Sequence, residues 1–168
     1  MSLQVLRVGG MTPCSTVDFP DALAAVIYCQ GCPWRCHYCH NPELLPARGE
    51  NQLDWADLLA WLRRRQGLLD AVVFSGGEPT MQPGIVDAVK AVHDLGFKVG
   101  LHTAGSYPQR LQEVLAWVDW VAMDIKGEWA DYPEVTGVAN SAEKARVSVE
   151  AVKASGVAYE LRVLEGVG

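Results

Sequence analysis

Trp120-Val121-Ala122-Met123-Asp124-Ile125-Lys126 is the stretch that decides the fold of this chain. Successive side chains of a strand point to opposite faces, so Val121, Met123 and Ile125 share one face and Ala122, Asp124 and Lys126 the other. One face is apolar, and the other carries polar groups near its end. Residues 157–164 repeat the pattern, with Tyr159, Leu161 and Val163 opposed to Glu160 and Arg162. Parallel strands buried on both faces of an open sheet read as continuous apolar runs. The alternation fits a barrel-like sheet with helices outside and a ligand inside.

Outward from this stretch, apolar runs predict further strands at 23–28, at 71–75, closed by Gly76-Gly77, and at 97–103. Between them lie helical patterns. Leu53, Leu58, Leu59 and Leu62 recur at helical spacing through 53–65, and residues 83–95 form a helix stopped at Gly96. A third helix, 108–117, begins with proline in its first turn, and Ser141 is placed to cap a last one to residue 154, ended near Gly156. The N-terminal segment, with Gly9-Gly10 and Asp18-Phe19-Pro20, receives no element. Strands alternating with helices give an α/β fold of repeated βαβ units around a parallel sheet, in a single domain over residues 1–168.

The 168 residues, 49% hydrophobic and 20% charged, suit one soluble globular core. A net charge of -6, with basic residues dispersed apart from Arg63-Arg64-Arg65, makes nucleic acid a poor partner. No apolar stretch is long enough to span a bilayer and no secretory signal opens the chain, so the expected location is the cytoplasm. Four of the five cysteines crowd between Cys29 and Cys39. That spacing is too local for a disulfide framework and points to metal or cluster chemistry in a reducing compartment.

The cysteine loop, Cys29-Gln-Gly-Cys32-Pro-Trp-Arg-Cys36-His-Tyr-Cys39-His40, follows the first predicted strand directly. Zinc takes cysteine and histidine ligands in tetrahedral geometry, but its sites usually draw two ligand pairs from separated turns. A four-cysteine electron-transfer cluster would need Cys29 as its fourth ligand. Both readings stay open on the residues alone.

The spacing Cys32-x3-Cys36-x2-Cys39, with Tyr38 before the last cysteine, resembles the signature of the radical S-adenosylmethionine (SAM) superfamily. The resemblance implies that Cys32, Cys36 and Cys39 hold a [4Fe-4S] cluster, while Cys29 and Cys14 are small thiols outside the ligand set. One iron is then left open for the amino and carboxylate groups of SAM. It also implies a partial barrel of six βα units. Five strands are counted here, so the chain reads as ending after the fifth, shortened at its C-terminal side, with part of the adenine pocket lacking and a sheet edge in need of cover.

Ser75-Gly76-Gly77-Glu78-Pro79-Thr80 alone is a turn with a surface acid. One βα unit after the cysteine loop, it matches the superfamily's Gly-Gly-Glu motif, which implies that the backbone of Gly76 and Gly77 and the acid of Glu78 meet the SAM amino group. Asp124 and Lys126, otherwise an exposed ion pair of little consequence, match an Asp-x-Lys pair whose lysine faces the SAM carboxylate. Arg162 is placed to reach the ribose or carboxylate. His102-Thr103-Ala104-Gly105 stands where relatives carry an Asp-Thr-Asn-Gly-like sequence, so His102 is a candidate contact for SAM or substrate, with a hydrogen-bonded core histidine as the alternative. His37 and His40 are read as shaping the cysteine loop.

The chain as a whole, through Cys32 to Glu43 and Tyr132-Pro-Glu-Val-Thr-Gly137, is similar to the anaerobic ribonucleoside-triphosphate reductase activating proteins. That family implies an anaerobic oxidoreductase that cleaves SAM to methionine and 5′-deoxyadenosine and abstracts hydrogen from a glycine of a large partner, with flavodoxin or ferredoxin as reductant. A different glycyl-radical partner, a small-molecule substrate, or a non-catalytic metal or electron-transfer module or inactive fragment are the alternatives.

Overall fold

The computed structural model describes residues 5–32 and 53–163. Among the described residues six strands form one sheet in the order β1-β2-β3-β4-β5-β6. The strands are β1 (Val8–Ser15), β2 (Ala24–Cys29), β3 (Ala71–Gly76), β4 (Lys98–Thr103), β5 (Trp120–Ile125) and β6 (Ala158–Val163). The five predicted strands are all present and run parallel. The expectation missed β1, which pairs antiparallel with β2 at the sheet edge, its register broken between Val8 and Gly10 and between Thr12 and Ser15.

The helices are α1 (Trp55–Arg63), α2 (Ile85–Asp94), α3 (Pro108–Leu115), the short α4 (Tyr132–Thr136) and α5 (Ser141–Ser155). Two predicted boundaries shift for local reasons. Asp54 caps α1, its Oδ1 accepting from the Ala56 and Asp57 amides at 2.8 and 3.3 Å. Leu53 therefore lies outside that helix and instead makes an antiparallel bridge to Val8. Ser141 does not cap α5: it is buried within the first turn, and its Oγ accepts from Thr136 Oγ1 at 2.7 Å.

Strand parity sorts the core into two layers. Residues such as Ile27, Phe74, Leu101, Val121 and Met123 face the helices and join the main core with Leu58, Leu62, Val89, Leu111 and Val152. The opposite face is thinner, built of Ala24, Val26, Ala71, Val73, Trp120 and Ala122 around Phe19. This confirms the reading of β5: its apolar face lies under the helices, and its other face lines the interior of a partial barrel. On β6, Tyr159 and Val163 are 44% and 62% exposed.

Phe19 comes from the loop between β1 and β2 and packs on Trp120 with ring centroids 5.7 Å apart. It also occupies the space over Gly100, where an added Cβ would lie 2.9 Å from the Phe19 ring. Because the residues around it belong to the first halves of their strands, Phe19 forms a floor, and the polar strand ends stand above it. Phe19→Ala is expected to lower unfolding stability by about 3 kcal/mol, the cost of an unfilled aromatic cavity. Denaturant unfolding of the two proteins measures it.

Candidate functional site

The site is assembled where β2 and β3 end. Gly76, the last residue of β3, has φ +107, and a Cβ there would sit 2.4 Å from the Cys29 amide nitrogen and 2.7 Å from its carbonyl oxygen. Only glycine permits this approach. Beyond it, the Gly77 N–H donates to Cys29 O at 2.9 Å and the Glu78 N–H to Gly31 O at 2.7 Å. Gln82 adds a clasp, donating from Nε2 to Gln30 O at 2.9 Å and Arg7 O at 2.7 Å while its Oε1 accepts from the Arg7 N–H at 2.6 Å. The backbone leading to Cys32 is thus fixed from β3 and from the segment before β1.

Cys29 and Cys32 are treated differently by the fold. Cys29 is fully buried on the helix-covered face. Burial pushes its thiol well above the ordinary range, and the Glu78 charge adds to the effect. Cys32 is half-buried at the end of the braced segment. Cys36, Cys39, His37 and His40 lie outside the described residues.

Glu78 is 1% exposed. Its Oε1 accepts from the Ala104 N–H at 2.8 Å, and its Oε2 accepts from Thr103 Oγ1 at 2.7 Å, from the Thr80 N–H at 3.0 Å and from Thr80 Oγ1. Burial pushes the pKa of its carboxyl above the ordinary range, opposed by the hydrogen bonds from Ala104, Thr80 and Thr103.

The interior face above the floor carries a polar row. Tyr28 Oη lies 2.9 Å from Thr12 Oγ1. His102 spans from β4 to two neighbours, with Nε2 3.2 Å from Asp18 O and Nδ1 3.1 Å from Ser75 Oγ. A carbonyl only accepts, so Nε2 carries the proton, and in the neutral ring Nδ1 accepts from Ser75. Burial first, and then the Arg162 charge, lower its basicity, against the opposing pull of Asp18 and Asp124. His102 also meets Trp120 edge-on at 5.7 Å.

Asp124 and Arg162 are register partners on β5 and β6. Lys126 Nζ lies 3.6 Å from Asp124 Oδ2, and the Lys126 N–H donates to the buried Tyr132 phenol at 2.8 Å. Arg162 stands over Trp120 at 5.7 Å and pairs with Glu160 at 3.7 Å. All seven residues singled out for SAM contact therefore belong to the ends of β3, β4, β5 and β6 or to the turns that follow β3 and β5, the region where a βα sheet presents its ligand sites.

A family model described as the Radical SAM superfamily matches residues 26–165. The chain belongs to the radical SAM superfamily. Its members use a [4Fe-4S] cluster and SAM. Among curated relatives, the Methanocaldococcus jannaschii protein MJ1227, named for glycyl-radical enzyme activation, is 33% identical over 132 residues, 76% of this chain and 53% of the relative. The pyruvate formate-lyase-activating enzyme of Clostridium pasteurianum is 34% identical over 125 residues, 71% of this chain and 52% of the relative. The chain thus spans about half the length of these relatives. Streptococcus suis SuiB bound to SAM shares the fold with a TM-score of 0.67 at 17% identity, covering 85% of this chain and 34% of SuiB.

The donor chemistry fits the superfamily's cofactors: a thiol on a braced turn, an adjoining backbone without side chains at Gly76 and Gly77, and cationic and anionic groups on neighbouring strands. Sequence reading missed the residues that hold these parts in place, namely Gln82, Thr103, Tyr132 and Phe19. Thr103, Tyr132 and Phe19 each stand in a stretch that the sequence singles out, but nothing local shows the partners they hold, and Gln82 gives no signal. Gly76→Ala should cost about 2–4 kcal/mol through forced φ and overpacking, visible in thermal unfolding together with iron content after reconstitution.

His102 supplies a pH test. Its folded pKa is depressed below the ordinary 6.5, so its contribution to stability is present above that value and lost as pH falls through the folded pKa. Between about pH 7.5 and about pH 5.5, wild type should lose more unfolding free energy than His102→Gln, measured by denaturant titration.

Proposed function

We propose that this chain is a radical SAM activase that installs a glycyl radical on a partner enzyme, with anaerobic ribonucleoside-triphosphate reductase as the target. The observation that carries the reading is the braced turn: Gly76 and Gly77 packed on the backbone that leads to Cys32, at the same end of the sheet as the Asp124–Lys126 pair. Identity above 30% to two relatives named for glycyl-radical or pyruvate formate-lyase activation supports the activase class. The Cys32 to Glu43 and Tyr132 to Gly137 segments support the choice of target.

In this reading Cys32, Cys36 and Cys39 hold the cluster, and the backbone of Gly76 and Gly77 adjoins the amino group of SAM. Lys126 faces its carboxylate as a compact cation, held by Tyr132 through its own N–H. Arg162 and His102 line the remaining interior wall. When bound, the cluster and SAM supply one-electron cleavage that yields a primary carbon radical. The protein's part is to exclude water and to orient: the Phe19 and Trp120 floor closes the interior below, so a substrate glycine must enter from the strand ends above. A flavodoxin- or ferredoxin-like donor is the expected reductant, and the cytoplasm the expected location. Among the described residues no helix is long and apolar enough to cross a membrane.

A second reading has its own observation. The PqqA peptide cyclase of Ruegeria pomeroyi is 30% identical over 166 residues, 93% of this chain and 42% of the relative. On that footing the substrate would be a peptide rather than a glycyl-radical enzyme.

Anaerobic reconstitution with iron and sulfide, followed by electron paramagnetic resonance with and without SAM, tests the cofactor assignment. A reduced-cluster signal that shifts on adding SAM is expected, and it should vanish in Cys36→Ala but persist in Cys29→Ala. Incubation with anaerobic ribonucleoside-triphosphate reductase and with pyruvate formate-lyase then decides the target. A glycyl doublet in the reductase supports the assignment, and a doublet confined to the lyase overturns it. Zinc without a SAM-dependent shift overturns the enzyme reading.

A further inference from the structure

Resting on the reading above, we infer that Glu78 is a positioning residue: its carboxylate locks the turn after β4 onto the turn after β3 and does not itself bind the amino group of SAM. The motif resemblance gives the acid that direct contact. The geometry gives it another task.

A carboxylate offers about four acceptor sites. At Glu78 this chain supplies four donors: the Thr80 amide and the Thr80 and Thr103 hydroxyls converge on Oε2, and the Ala104 amide takes one site of Oε1. The side chain is 1% exposed, so a buried charge is being compensated by donors already in place. An ammonium group could reach this carboxylate only by opening the packing that buries Oε1 or by displacing a donor from Oε2, which would leave a buried amide or hydroxyl unpaired.

The lock reaches further than the two turns. Thr103 Oγ1, while donating to Glu78, accepts from the Gly105 N–H at 3.0 Å, and Gly105 O accepts from Ser148 Oγ of α5 at 2.8 Å. Gly105 has no room to move: a Cβ there would lie 2.5 Å from Met123 Cε and 2.7 Å from Ser148 Cβ. Arg110 of α3 holds the other end, donating to Thr80 O at 2.8 Å and Met81 O at 2.9 Å. One carboxylate therefore sets the distance between the Gly76-Gly77 backbone, packed on the cysteine segment, and residues 102–105. Ligand groups that meet those two backbones feel Glu78 only through them.

The test compares wild type with Glu78→Ala, Glu78→Gln, Thr103→Val and the Glu78→Ala/Thr103→Val double variant, all reconstituted anaerobically. SAM affinity is measured by calorimetry, and amide hydrogen exchange at Ala104 and Gly105 is measured without SAM. Glu78→Ala and Thr103→Val should each weaken SAM binding about tenfold and accelerate exchange at both amides, and the double variant should be no worse than Glu78→Ala. Glu78→Gln, whose oxygen can serve the three donors at the Oε2 place while its NH2 meets the Ala104 amide alone, should bind SAM several-fold more tightly than Glu78→Ala, with faster exchange at Ala104.

A loss of about tenfold or more in Glu78→Gln with the Ala104 amide still protected would mean direct contact through charge and overturn the inference. Wild-type behaviour of Thr103→Val in both measurements would also overturn it. If Glu78→Ala does not fold, the near-isosteric Thr103→Val and the conservative Glu78→Gln decide between the two outcomes. A wild-type protein that binds no SAM sinks the proposed function instead, and the exchange data then settle the lock by themselves.

Discussion

A β-carbon on Gly76 would overlap the backbone of Cys29, and much of the described architecture follows from that exclusion. Because the two main chains touch, the Gly77 and Glu78 amides reach the carbonyls of Cys29 and Gly31, and the entrance to the cysteine loop becomes an extension of the sheet. Glu78, turned away from that contact, is delivered to the top of β4, where it meets Thr103 and Ala104. Steric absence at one residue thus permits polar saturation at another two positions later. Neither would hold alone, since an unsatisfied buried carboxylate is costly and a glycine turn without anchors is loose.

Two populations of polar residues occupy the upper half of the molecule. Glu78, Gln82, Thr103, Thr136 and Ser148 are buried and engaged with partners of the same chain, and they give the framework rigidity. Tyr28, Ser75, His102, Asp124, Lys126 and Arg162 lie on or above the interior face with more open surroundings. The division places the residues whose charge a ligand can meet on strands, while those that fix the strands to one another are shielded from it. Catalytic constellations benefit from such separation, because orientation is then set before a ligand arrives.

Residues whose role depends on near neighbours were legible in the sequence. Val121, Met123 and Ile125 reveal their face through a period of two, and the cysteine spacing needs no tertiary context. β1 was illegible because Gly9-Gly10 and Pro13 depress strand propensity, and its register is broken twice along its length. Leu53 fits the helical spacing of Leu58 and Leu62, but Asp54 caps the helix one residue later, and a capping side chain overrules apolar periodicity. Glu78 was located correctly as part of a motif, yet its partners at Thr103 and Ala104 lie 25 and 26 residues away, beyond any local pattern. Cys29 and Cys32 fall between these cases: the family resemblance set them apart, and only the fold shows Cys29 fully buried under the helices and Cys32 half-buried.

The floor made by Phe19 and Trp120 divides the tolerance of the fold to change. Below it, Gly100, Val73 and Ala122 are fitted to one another and to a loop that also carries the Asp18 carbonyl for His102. Above it stand strand tips and the turns that follow them, and the turns after β3 and β4 are tied to each other through Glu78. Freedom to change is therefore uneven along the chain: the loop before β2 and the turns after β3 and β4 are each fixed by close packing or hydrogen bonds, whereas β6, with Tyr159 and Val163 exposed, is far less constrained by its described neighbours.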